Sequence, residues 1–192
     1  MQDEIKRHLE AHIELAQSVL QKLSGAISAA GERLIDCLER GDSIYLCGNG
    51  GSASDAQHIA TELTGRYLRQ NRRPLAAVAL TTDTSALTAI GNDFGFDQIF
   101  ARQLRALARA GDVVVGISTS GNSKNVLEAF RAAREIGVTR LLLSGGNGGI
   151  LKGESDIAII VPHTKTPHIQ EMHITVGHIL CELIDAHFDQ KT

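Results

Sequence analysis

Five short runs that are apolar at consecutive positions, rather than at alternate ones, constrain this chain more than any other feature: Ser43–Cys47, Leu75–Leu80, Val113–Ile117, Leu141–Ser144 and Ile157–Val161. Strands with one wet face alternate apolar and polar residues, whereas parallel strands covered by helices on both sides do not. Segments of helical period separate or follow these runs at 53–66, 83–90, 95–110, 123–136 and 168–189. That is the βαβ rhythm of a doubly wound, five-stranded parallel α/β sheet. Ahead of the first run, Ile5, Leu9, Ile13, Ala16, Leu20 and Leu23, then Ile27, Ala30, Leu34 and Leu38, recur at spacings of three and four. Two amphipathic helices, over 3–23 and 26–39, are therefore expected to open the chain.

A length of 192 residues suits one domain with no linker and with a core that needs no metal or disulfide staple. No stretch approaches the roughly 20 apolar residues of a membrane span. The first 22 residues alternate charged and apolar side chains at helical spacing, unlike a signal peptide, so a cytoplasmic protein is expected. The cysteines Cys37, Cys47 and Cys181 are odd in number and widely spaced, which predicts reduced packing residues. A formal charge of −3 and a pI near 6.2 exclude a general nucleic-acid binder, which needs a basic footprint. The one basic cluster, Arg66, Arg69, Arg72 and Arg73 ahead of Pro74, reads as a solvated loop for all but Arg66.

Two loops rich in glycine and hydroxyl groups follow the first and third runs: residues 47–52 (CGNGGS) and 118–123 (STSGNS). Each directly precedes a helical pattern, so each turns backbone N–H groups, small hydroxyls and the positive end of a helix dipole toward one spot, which is an anion site. In a flavodoxin-like strand order 2-1-3-4-5 the switch point lies between the first and third strands, and ligands bind beyond their carboxyl ends. Both loops then meet in one crevice, and a small phosphorylated molecule is the expected ligand. Gly48, Gly50 and Ala53 also fit the G-x-G-x-x-A dinucleotide pattern, but the acidic residue expected about 20 positions later is absent. In the second loop Ser118, Thr119, Ser120 and Ser123 offer more hydroxyls than an N-cap requires. A third turn, residues 145–149 (GGNGG), has no hydroxyl of its own and reads as flexible.

His58, Glu62 and Arg66 stand at successive i, i+4 positions after the first loop. Such a set can hold a metal or poise a carboxylate as a base, but by itself it reads first as a surface ladder of polar residues. On the last helix Met172, Val176, Ile179 and Leu183 form an apolar stripe that leaves Gln170 and His178 aside. His168, His173 and His178 lie within eleven residues, a spacing open to metal, acid–base or structural roles.

Residues 47–59 (CGNGGSASDAQHI), 62–66 (ELTGR), 80–97 (LTTDTSALTAIGNDFGFD), 116–124 (GISTSGNSK) and 169–185 (IQEMHITVGHILCELID) together resemble the sugar isomerase (SIS) domains of the phosphoheptose isomerase family, over essentially the whole chain. The resemblance implies a single SIS domain over 1–192 with a three-layer α/β/α fold, its residues 1–40 contributing to oligomer packing in a homotetramer whose sites lie at subunit boundaries. It implies conversion of sedoheptulose 7-phosphate to glycero-manno-heptose 7-phosphate through an enediolate, for bacterial surface polysaccharide such as lipopolysaccharide. It further implies zinc on His58, Glu62, Gln170 and His178, with Glu62 and His178 as the acid–base pair. Substrate contacts carried over by position are Asn49, Gly50, Gly51, Ser52, Glu62, Asn92, Asp93, Ser118, Thr119, Ser120, Ser123 and Gln170. Pro167 and His168 depart from the pattern, since many members carry Arg directly before the Ile-Gln-Glu segment. Two alternatives stand beside this reading: a non-catalytic SIS domain that binds a phosphosugar or a replication initiator, and an isomerase of another ketose phosphate.

Overall fold

The computed structural model describes residues 1–189. Its strands are β1 (Ile44–Gly48), β2 (Ala77–Ala79), β3 (Val113–Ser118), β4 (Thr139–Gly145) and β5 (Ile157–Val161), all parallel, in the order β2-β1-β3-β4-β5. The helices are α1 (Gln2–Glu39), α2 (Gly51–Thr64), α3 (Thr84–Phe94), α4 (Ile99–Leu107), α5 (Lys124–Ile136), α6 (Leu151–Glu154) and α7 (Thr166–Asp189), with a single 3₁₀ turn over Phe96–Gln98 before α4.

The consecutive apolar positions of the strands have a direct structural cause. Leu46, Val113, Val115, Ile117, Leu141 and Leu143 pack against α1, α2 and α7, while Tyr45, Cys47, Val114 and Leu142 pack against α4 and α5 on the opposite face. Alternate side chains of one strand thus enter two separate cores, and in the central strands β1 and β3 neither face meets water, whereas Val78 of the edge strand β2 is exposed. All three cysteines are free and buried.

The chain opens with one helix where two were expected. α1 runs unbroken through Gly25, because Leu15, Val19, Leu23, Ile27, Ala30, Leu34 and Leu38 form a single stripe packed on the body across that position. A lone glycine costs a helix only about 1 kcal/mol relative to alanine, too little to break it against that packing. The helical pattern read over 95–110 is divided into the 3₁₀ turn and α4.

Candidate active site

The carboxyl ends of β1 and β3 lie side by side, with Gly48 paired to Ile117. The two loops that leave them therefore share one crevice. Both following helices begin without a side-chain cap, α2 behind Gly50 and α5 behind Ser123, whereas α3 is capped by Asp83 accepting from the Ala86 N–H. Neither helix is closed by an N-cap side chain, so two helix dipoles face the crevice, although the N–H groups of Ser52, Ala53 and Val126 already bond to the Asn49 and Gly50 carbonyls and to Asn125 Oδ1. A pocket of about 170 Å³ opens beside the first loop, between it and the α3–α4 segment, lined by Asn49, Gly50, Ala53, Thr81, Leu87 and Phe96 among others and by no residue of the second loop. Roomier grooves, about 370 Å³ between α1 and α7 and about 410 Å³ between α3 and α4, hold no loop residue.

The second loop is held from below. The Ser118 and Ser123 hydroxyls bond to each other at 2.8 Å, Ser120 Oγ accepts from the Asn122 N–H at 3.2 Å, and Ser144 Oγ donates to the Ser118 carbonyl at 2.7 Å. The turn at 145–149, expected to be flexible, braces this loop instead: the N–H groups of Leu151 and Gly145 donate to the carbonyls of Gly121 and Thr119, and the Ile150 N–H donates to Asn122 Oδ1. Asn49 is fixed by a reciprocal amide pair with Asn125, at 2.9 and 2.8 Å. Asn125 is buried at the second position of α5 and escaped the sequence reading, since a polar residue there ordinarily faces water. Ser52 is buried at the start of α2. Cys47, within the first loop, has its thiol pushed up to about 12 by burial, which leaves it a packing residue.

α2 and α7 carry the other half of the site. Gly51, at the start of α2, lies so close to the Gln170 amide that a Cβ would be driven into it. Two turns further along each helix, His58 Nε2 and His178 Nε2 lie 2.9 Å apart, and Glu62 Oε1 lies 3.4 Å from His58 Nε2. Gly177 permits this approach, because a Cβ at that position would collide with Ile59. His58, Glu62, Gln170 and His178 are thus drawn from one pair of adjacent helices. The Tyr67 ring stacks on His178 with centroids 5.7 Å apart. Asp55, one turn before His58, is half-buried; burial pushes its carboxyl up to about 6 against the opposing pull of His58, and its Oδ2 has no hydrogen-bond partner. No spacing signal marked Tyr67 or Asp55 in advance. Two imidazole nitrogens and a carboxylate oxygen are of the nitrogen and oxygen donor type that zinc accepts, with the Gln170 amide two turns away beside Gly51.

Three expectations change. α2 ends at Thr64, so Arg66 falls beyond the helix and is exposed rather than one turn on from Glu62. Arg72, read as a solvated loop residue, has a fully buried side chain that is ion-paired with Asp185 of α7. It donates to the carbonyls of Glu62 and Leu63 at 2.7 and 2.9 Å, clamping the end of α2 that carries Glu62. Asn92 and Asp93 lie at the exposed end of α3, with Asn92 Nδ2 donating to Asp93 Oδ1 at 2.8 Å, and Asp93 faces the α3–α4 groove rather than the crevice pocket. Away from these residues, His8, His168 and Glu171 form the one group among the described residues whose donor atoms all lie within 4.8 Å of one another, a convergence that His58, Glu62 and His178 do not reach.

A family model described as SIS domain matches residues 7–143. The chain is 52% identical over 189 residues to the phosphoheptose isomerase of Helicobacter pylori (strain P12), spanning 98% of both chains. In structure it is similar to a phosphoheptose isomerase from Neisseria gonorrhoeae, with a TM-score of 0.91 and 48% identity over 96% of this chain and 98% of that one. It is similar also to one from Francisella tularensis, with a TM-score of 0.93 and 38% identity over 96% and 97%.

Proposed function

Since this chain belongs to the SIS domain family, and within it to the phosphoheptose isomerases, we propose that its crevice converts D-sedoheptulose 7-phosphate to D-glycero-D-manno-heptose 7-phosphate. This is the first step of activated-heptose synthesis for bacterial surface polysaccharide. The observation that carries the reading is that one helix, α2, begins without a side-chain cap beside the second loop and carries, two turns further along, His58 and Glu62 clustered with His178. One half suits a phosphate, the other suits proton transfer.

The N–H groups opening α2 and α5, with the hydroxyls of Ser52, Ser118, Thr119, Ser120 and Ser123, bind the phosphate. Asn49, held by Asn125, and the backbone at Gly50 and Gly51 position the sugar. Ketose-to-aldose conversion moves one proton from C1 to C2 and another from O1 to O2. Glu62 removes the C1 proton, leaving an enediolate, and returns it to C2. His178 carries the proton between the oxygens, its ring plane set by Tyr67. Zinc, held by His58, Glu62, Gln170 and His178, supplies positive charge beside the reacting oxygens when bound.

We read the active form as a homotetramer with sites at subunit boundaries, acting in the cytoplasm. Support comes from α3, which buries no residue although it carries Leu87, Ile90 and Phe94, and which places Asn92 and Asp93 outward, where a neighbouring crevice can use them. No helix among the described residues is long and apolar enough to cross a membrane.

The test is NMR of zinc-loaded protein with sedoheptulose 7-phosphate in deuterium oxide, beside Glu62→Gln. We expect aldoheptose 7-phosphate, with any C2 deuterium reporting exchange, and silence from the variant with its fold intact. Turnover by Glu62→Gln shows that the base lies elsewhere. No product and no exchange from the parent protein moves the assignment to another sugar phosphate or to a binding module.

A further inference from the structure

Where the first third of α1 lies against the start of α7, four metal-ligating side chains meet. His8 and His12, one turn apart on α1, both reach Glu171: His8 Nε2 is 2.7 Å from Oε1 and His12 Nδ1 is 2.8 Å from Oε2. His168, one turn before Glu171 on α7, places Nδ1 3.2 Å from the same Oε2, and its ring lies against that of His8 with centroids 4.3 Å apart. One donor atom each from His8, His168 and Glu171 falls within 4.8 Å of the other two. Although Glu171 follows Gln170 in sequence, neighbouring side chains on a helix diverge by about 100°, so the two face different surroundings.

We propose that His8, His168 and Glu171 form a second site for a divalent transition metal of the zinc class, separate from the crevice, with His12 holding the carboxylate from outside. Two imidazoles and one carboxylate are a recognised donor set for zinc that leaves a position open to water. A further group hydrogen-bonded to a ligating carboxylate orients it and raises affinity. The placement also gives such an ion something to do. α1 buries no residue before Leu15, so its first three turns overhang the body, and this cluster is where they meet α7. A bound ion fastens the overhang to the helix that carries Gln170. Arg7 and Lys165 share the adjacent groove with Glu4, and their positive charge holds the affinity below that of an all-acidic site.

The site is tested by counting metal. Full-length protein, stripped and then dialysed against Co²⁺ at graded free concentrations up to saturation, is assayed for cobalt per chain and for the d–d absorption of imidazole-bound cobalt, with circular dichroism as the control for folding. The parent chain is expected to hold two equivalents, His8→Ala and His8→Gln one, and His58→Ala one with a different spectrum. His12→Ala is expected to keep both while weakening the second by about 10- to 100-fold. A parent chain whose bound cobalt is unchanged by both folded His8 variants overturns the proposal, whatever His58→Ala does. A single equivalent lost in the His8 variants but not in His58→Ala upholds this site and removes the metal from the crevice instead.

Discussion

Arg72 is the residue on which the geometry of the crevice most depends without touching it. Its guanidinium is buried against Asp185 and bonded to the carbonyls of Glu62 and Leu63, while the Asp185 carboxylate also accepts from the N–H groups of Leu68 and Arg69. Removing one member of such a buried pair leaves an uncompensated charge, which costs about 3–5 kcal/mol. Arg72→Met is therefore expected to lower unfolding stability by that amount in urea at fixed protein concentration, and a loss under about 1 kcal/mol would contradict the clamp. Nothing in the local sequence distinguished Arg72 from its neighbours Arg69 and Arg73. The difference is that α7 happens to bring Asp185 to this one, and a desolvated charge is tolerated only where its partner is also delivered. Asn125 shows the same principle with neutral groups, since its burial makes sense only beside Asn49.

Between elements, the support of the second loop runs through His173 of α7. Its ring is fully buried and its Nε2–H donates to the Ser144 carbonyl at 3.1 Å, while Ser144 Oγ donates to the carbonyl of Ser118. Burial pushes His173 down to about 4, against the opposing pull of that carbonyl. The folded protein holds the neutral ring more tightly than the unfolded chain does. The associated stability is thus complete above the unfolded value near 6.5 and is lost as pH falls through about 4. It amounts to roughly 3 kcal/mol. Melting temperature should fall between pH 6.5 and 4 more steeply in the parent chain than in His173→Gln, and equal slopes would show that other groups govern the acid limb. Helix limits were the least legible part of the sequence at this scale. The stripe of α1 carries across Gly25 because packing outweighs propensity, and α2 stops short of Arg66 although the i, i+4 pattern continues.

At the scale of the molecule, the described residues leave apolar side chains exposed on three helical segments, and the proposed tetramer would cover them. Ile5, Leu9, Ile13 and Leu20 along α1, Ile179 and Leu183 along α7, Phe94 at the end of α3 and Phe96 beyond it are exposed, and contiguous apolar surface of this kind marks protein contacts. Ile13→Asp with Leu20→Asp is expected to shift sedimentation from tetramer to smaller species with loss of isomerase activity. A tetramer that survives both substitutions places the interface elsewhere. The sequence by itself determined the parallel sheet, its helical layers and the two loops at the ends of β1 and β3. Those features are written in consecutive apolar runs, in a period of 3.6 and in turn residues, which act over a few neighbouring positions. It also named His58, Glu62, Gln170 and His178, through a resemblance rather than through spacing. Only the tertiary structure decided that His58 meets His178, that Arg72 is buried, that Asn49 leans on Asn125, and that His8 and His12 reach Glu171. Each of these joins segments distant in the chain, and which distant segments meet is settled by packing two cores around one sheet, a condition that no short stretch of sequence contains.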